Sequence, residues 1–251
     1  VYNENFDIDE AINDCKKLNK EVIISLTKVF VENELDDVKN FILKYKENKF
    51  LVSDLGIVFF MIENGLENNV IYHPDTLLCN SLDLANINEY NFAAFGLSNE
   101  ITIDDLKSIY SKCKSKIFYQ VFGRKIMFYS RRKLLELYKN HYKLDFKNEN
   151  LTLVEEMRSY HIPFLENENG FFCFRPYFIS TLKHIKELSF IEYAYFDSLD
   201  LNDKQVSDLL NLYNESFDEN INEKLALLGI NIEDGFNYND TAYVQEKMFN
   251  E

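Results

Sequence analysis

The chain is 251 residues long, with a formal net charge of −15, 46% hydrophobic and 27% charged residues, and only seven glycines and three prolines. That length suits one large α/β domain, or two small ones, and the composition argues against a low-complexity or disordered chain. No run approaches the roughly 18 apolar residues of a membrane-crossing helix. The opening VYNENFDIDE has neither the basic nor the apolar region of a secretory signal, so a cytoplasmic location and no membrane partner are expected. Cys15, Cys79, Cys113 and Cys173 lie far apart with no CxxC spacing. They read as separate reduced thiols, and neither a metal nor an iron–sulfur cluster is expected on them.

In chain order, short β-rich runs alternate with helical patterns. DIDEAINDCKKLN is amphipathic and opens with Asp7 and Glu10 at capping spacing; EVIISL (21–26) follows as a strand. ELDDVKNFILKYKEN precedes FLVSDL (50–55), after which come the strands NVIYHP (69–74) and NFAAFGLS (91–98). TIDDLKSIYSKCK, with Thr102 and Asp105 at capping spacing, leads to KIFYQVFG (116–123). The stretch from 140 to 180 breaks the rhythm and predicts an irregular insertion with a β-hairpin turning at Asn169-Gly170. IEYAYFDS (191–198) is the sixth strand, and NDKQVSDLLNLYNESFDEN the last amphipathic helix. Strands apolar on both faces and joined by helices suit a parallel sheet, in a (β/α) barrel or a doubly wound fold. Six strands do not close an eight-stranded barrel. Because the chain starts at Val1 rather than Met, an N-terminally incomplete single domain is expected, open between EVIISL and IEYAYFDS.

The charge is unevenly placed. Residues 107–147 hold twelve Lys or Arg against two acids, a local net of +10 that leaves −25 for the remainder. Three of the five arginines are there, Arg124, Arg131 and Arg132. Such a stretch is either a solvated helical face or a site for RNA phosphate or a small anion.

Several blocks, in order, resemble a known family. VSDLG (52–56) is similar to its Asp-x-Gly strand end. IYHPDTLLCNSLDLANINEYNFAAFGLSNEITIDDLKSI carries Asn80, Ser98 and Glu100 on matching positions. KIFYQVFGRKIMFYSRRKLL resembles the signature, with Gly123, Ser130 and Arg132 matching. RSYHIPFLENENGFFCFRPYFISTLKHIKEL and the closing EDGFNYNDTAYV are also similar. The family is the collagenase-like peptidase family of unknown catalytic type (U32), and the nearest branch is that of tRNA wobble-uridine 5-hydroxylation. The resemblance implies a TIM-like (β/α) barrel with two strands ahead of this chain's first. It also implies prephenate as a co-substrate, and a longer paralogous subunit as a partner. Some members hold an iron–sulfur cluster on four cysteines. Here the two signature cysteine positions are Ile126 and Lys133, the expected His is Phe122, and the Lys-x-acid-Gly-Arg strand end reads Tyr195-Phe196-Asp197-Ser198-Leu199.

In a barrel, chemistry gathers at the strand C-termini. Asp54, Glu100 and Asp197 there are candidate acids or bases, or else caps of the following helices. His73, within His-Pro-Asp, is a candidate proton shuttle or a satisfied loop histidine. Arg124, Ser130, Arg131, Arg132 and Asn80 are the candidate anion-binding set. HExxH and GxSxG motifs are absent from the sequence. The expected function is tRNA modification, as enzyme or partner subunit, with tRNA or a small anionic substrate and no DNA. A U32-type peptidase and a non-catalytic interaction subunit are the alternatives.

Overall fold

The computed structural model describes residues 7–146, 151–154, 160–214 and 221–238. Lys147 of the basic stretch, parts of the 140–180 insertion, Arg158 and the tail beyond Tyr238 lie outside these residues, as do the chain's first six. The expected alternation forms: α1 (Ile8–Lys17), β1 (Ile23–Leu26), α2 (Leu35–Lys44), β2 (Lys49–Val52), α3 (Leu55–Glu63), β3 (Val70–Tyr72), α4 (Ser81–Ile87), β4 (Ala94–Gly96), α5 (Ile103–Cys113) and β5 (Ile117–Gly123). Next come β6 (Ile126–Ser130), α6 (Leu134–Tyr142), β7 (Thr152–Val154), β8 (His161–Asn167), β9 (Gly170–Phe174) and β10 (Ile179–Ser180). β11 (Ile191–Phe196), α7 (Asp203–Asn214) and α8 (Ile221–Leu227) complete the order.

Two helix starts follow directly from side-chain chemistry. Asp7 accepts the Glu10 amide at 2.9 Å, and Thr102 accepts the Asp105 amide at 3.1 Å while the Asp105 carboxylate takes the Thr102 amide in return. Each satisfies donors that a helix N-terminus otherwise leaves orphaned.

β1, β2, β3, β4, β5 and β11 pair side by side in that order, every pair parallel. β10 adds an antiparallel strand against the end of β5, where Ser180 and Phe196 both partner Phe122 from opposite edges. On the outer face Phe50, Val52, Val70, Phe95, Ile117 and Val121 pack against α2, α3, α4 and α5 in the main core. The inner face gathers Leu51, Ile71, Ala94 and Phe118 with Ile23, Tyr193 and Tyr195. That inner cluster measures the curl. β2 and β11 are four strand spacings apart, about 19 Å if flat, yet the Lys49 ammonium lies 5.9 Å from the Tyr193 ring. Lys49, Glu21 and Tyr193 thus close off the N-terminal end of a half-barrel. Among the described residues β1 pairs only with β2, and β11 only with β5.

A second, antiparallel sheet runs β6-β9-β8-β7. It begins at Ile126, earlier than the 140–180 insertion predicted, because β6 pairs with a strand some forty residues on. The β8–β9 register pairs Asn167 with Gly170, so the two turn residues are Glu168 and Asn169, one position earlier than expected. Gly170, with φ of 128°, takes the first place of β9. A third cluster joins Phe122, Phe178 and Leu182 to Leu209 of α7 and to Ile221 and Leu225 of α8.

A cationic cavity at the strand ends as the candidate functional site

The parallel strands place all their C-termini at one end, and there a cavity of about 750 Å³ opens. Leu51, Gln120 and Tyr195 line it from the strands, while Thr27, His73, Asp75, Glu100 and Arg124 come from the turns after them. Ile126, Met127, Phe128 and Tyr129 of β6 wall it from the second sheet, and Arg175 and Phe236 arrive from later in the chain. Ile23 and Ile24 point to opposite faces of β1 yet both line the cavity, which therefore passes around the edge of that strand that is unpaired among the described residues.

Lys125, 3% exposed, also lines the cavity. An amide chain sets its surroundings. Gln120 Nε2 donates to the carbonyls of Phe122 (3.4 Å) and Arg124 (3.3 Å), so Gln120 Oε1 accepts from Asn99 Nδ2 at 3.2 Å. Asn99 Oδ1 is thereby turned to accept from Lys125 Nζ at 2.5 Å. The Tyr119 ring lies 5.1 Å from the same nitrogen. Burial, and then the Arg175 guanidinium, pull the Lys125 ammonium down to about 7. Arg175 is held by neutral groups, the Tyr177 hydroxyl at 2.9 Å and the face of Phe236 at 4.2 Å.

His73 sits between β3 and β4. Its ring lies 5.6 Å from that of Phe118 and fills the space beside Gly96, where an added Cβ would meet His73 Cγ at 2.5 Å. The residue as a whole is only partly buried, but Nδ1 is closed off from solvent and has no hydrogen-bond partner. Burial first, and Lys125 second, push the imidazole down to about 4, so it is neutral at pH 7. It therefore adds no positive charge to the cavity at neutral pH.

Of the residues singled out from sequence, His73, Glu100 and Arg124 reach this cavity. Asp54 lies outside the cavity lining and caps α3, accepting the Ile57 amide at 3.1 Å. Asn80 caps α4 through the amides of Leu82 and Asp83. Asp197, 1% exposed, accepts the Leu199 amide at 2.9 Å. Ser130 accepts the Arg132 amide at 3.1 Å. The three arginines are divided rather than joined. Arg124 pairs with Asp200 at 2.9 Å and stacks on Phe178 at 4.2 Å. Arg131, at the other end of β6, pairs with Glu34 at 3.1 Å, and Arg132 is exposed. Lys125, Arg175, Asn99 and Gln120 were not singled out. Lys125 alone carried a signal, as the residue two beyond the signature glycine; Arg175 joins only through the fold.

Gly123 explains why the signature needs glycine there. Its φ is 126°, and a Cβ would lie 2.5 Å from Asp197 Cβ and 2.9 Å from Gln120 Nε2. Cys15, Cys79, Cys113 and Cys173 are free thiols, with Cys173 buried. Among the described residues no group of three His, Cys, Asp or Glu is placed to hold a metal. No described helix is long and apolar enough to cross a membrane.

Comparison with known proteins gives one answer. A search of curated proteins found no match, and a search of solved structures found none either. The family model of peptidase family U32 matches residues 2–237, nearly the whole chain. The chain belongs to peptidase family U32.

Proposed function

We propose that this U32 protein acts in tRNA modification, in the branch that forms 5-hydroxyuridine at the wobble position, as the enzyme or as partner to a longer paralogue. The observation that carries the reading is the cavity itself. It lies at the strand C-termini, and Lys125 and Arg175 line it with no carboxylate paired to either among the described residues. Such a site favours a small anion, and prephenate, the co-substrate the resemblance implies, is a dicarboxylate of fitting size. Exposed Phe128 lines the cavity and can meet a base, and Arg132, exposed just after the same strand, can meet a phosphate.

The peptidase alternative has less support. Ser25 and Thr27 line the cavity with their hydroxyls 3.1 Å apart, and neither is hydrogen bonded to an imidazole among the described residues. A serine or threonine nucleophile needs such a base. The test is the wobble-nucleoside profile of a strain lacking this gene and any longer paralogue. Wild-type protein, with the paralogue supplied, should restore 5-hydroxyuridine-derived nucleosides, and Arg175→Ala should not. An unchanged profile in the deletion strain, with cleavage of collagen-type peptides by the purified chain, overturns the reading.

A further inference from the structure

We infer that Lys125 is an amine nucleophile that captures the ketone of a 2-oxo acid as an imine in the barrel-mouth cavity. The inference goes beyond the RNA reading and does not depend on it.

The geometry has three parts. First, the Lys125 amine is fixed rather than mobile. The Gln120–Asn99 chain ends in an amide oxygen 2.5 Å from Nζ, and each amide in that chain has its orientation set by the one before it. Second, that oxygen is neutral. Among the described residues no carboxylate lies within ion-pair distance of Lys125, so nothing holds the nitrogen in its charged form, and Arg175 opposes that form. A buried lysine serving only as a structural cation would be expected beside an acid. Third, the cavity has a place for the acid group of the ligand. Arg175 meets only a hydroxyl and an aromatic face, leaving its charge uncompensated by any described carboxylate. The neutral imidazole of His73 lines the same space without adding positive charge to it. The other charged groups lining the space are Asp75, Glu100 and Arg124, the last already paired with Asp200.

The step balances without a redox partner. The Nζ lone pair attacks the ketone carbon and forms a C–N bond. The former carbonyl oxygen gains the amine's two hydrogens, by way of cavity water, and leaves as water. A C=N bond remains between Nζ and the 2-carbon of the acid, with no net oxidation or reduction. An imine at that carbon draws electrons from its neighbours, which eases bond breaking at the adjacent carbon.

The probe is pyruvate with cyanoborohydride at pH 7.5, on the full chain, read by intact mass and peptide mapping. Trapping adds the acid less one oxygen. Lys125 presents about a thousand times more free amine at that pH than a lysine of ordinary pKa. It should therefore carry nearly all the label, ahead of every surface lysine by at least about tenfold. Lys125→Arg should abolish the labelling at that peptide. Asn99→Asp places a carboxylate against Nζ and should suppress trapping at pH 7.5 while letting it recover as the pH rises, a pattern that mere loss of structure would not give. Label spread evenly over surface lysines, or an unlabelled Lys125 in the wild-type map, overturns the inference. A chain that traps pyruvate at Lys125 but leaves tRNA unchanged would sink the RNA reading and leave this one standing.

Discussion

Glu34 ties the cavity's outer wall to the barrel, and replacing it with glutamine should loosen that wall by a predictable amount. Its carboxylate accepts the Val31 amide at 3.0 Å, Lys28 Nζ at 3.0 Å and Arg131 at 3.1 Å, so one side chain joins the segment after β1 to the end of β6. Led by the Val31 hydrogen bond, then those from Lys28 and Arg131, these contacts hold the carboxyl at about 2, well below its usual value near 4.5. Taken at face value the shift corresponds to about 3 kcal/mol. The three side chains are 22% to 29% exposed, so solvent screening reduces the expected cost of Glu34→Gln to roughly 1–2 kcal/mol at pH 7.

The sign fixes the assay. A carboxyl whose folded pKa is depressed stabilises above the unfolded value and loses that contribution as pH falls from about 4.5 through about 2. Urea unfolding of wild type and Glu34→Gln from pH 7 to pH 2.5 should therefore converge, the gap shrinking below pH 4.5. Differencing the two chains removes every other titrating group. A gap that is absent at pH 7, or that stays constant down to pH 2.5, would refute the clamp.

Two further outcomes are expected. Gly123→Ala should cost at least about 2 kcal/mol, since φ of 126° and the 2.5 Å approach to Asp197 Cβ leave a side chain no room; a change below about 0.5 kcal/mol in chemical denaturation would contradict this. His73, held near 4 in the fold, leaves the unfolded chain to take up the proton first. Wild type should thus lose up to about 3 kcal/mol as pH falls from 6.5 to 4, and His73→Gln should not show that slope. Parallel pH profiles would rule it out.

The parallel half-barrel was legible because its signals are local. Each parallel strand of the main sheet is a short apolar run, and Asp7 and Thr102 announce the helices they cap. α3 was less visible, since LGIVFFMIE is apolar on nearly every face and gives no amphipathic contrast. The second sheet was misjudged at its start, because β6 finds its partner only at β9, a pairing no local pattern encodes. Sequence also overvalued Asp54 and Asn80. A carboxylate or amide just past a strand end serves the next helix's amides first, and these two do so.

The cavity shows why sites are harder to read than folds. Arg175 stands fifty residues beyond Lys125, yet its amide donates to the Lys125 carbonyl at 2.9 Å. The β6–β9 pairing brings the two cations together, and burial, with the Arg175 guanidinium beside it, makes the Lys125 ammonium less willing to stay charged. The charge count of residues 107–147 does not separate one cation from the next. Lys107 is taken by Glu187, Arg124 by Asp200 and Arg131 by Glu34. What distinguishes Lys125 is that no acid among the described residues pairs with it, and that follows from how the fold arranges the cavity rather than from anything written beside it in the chain.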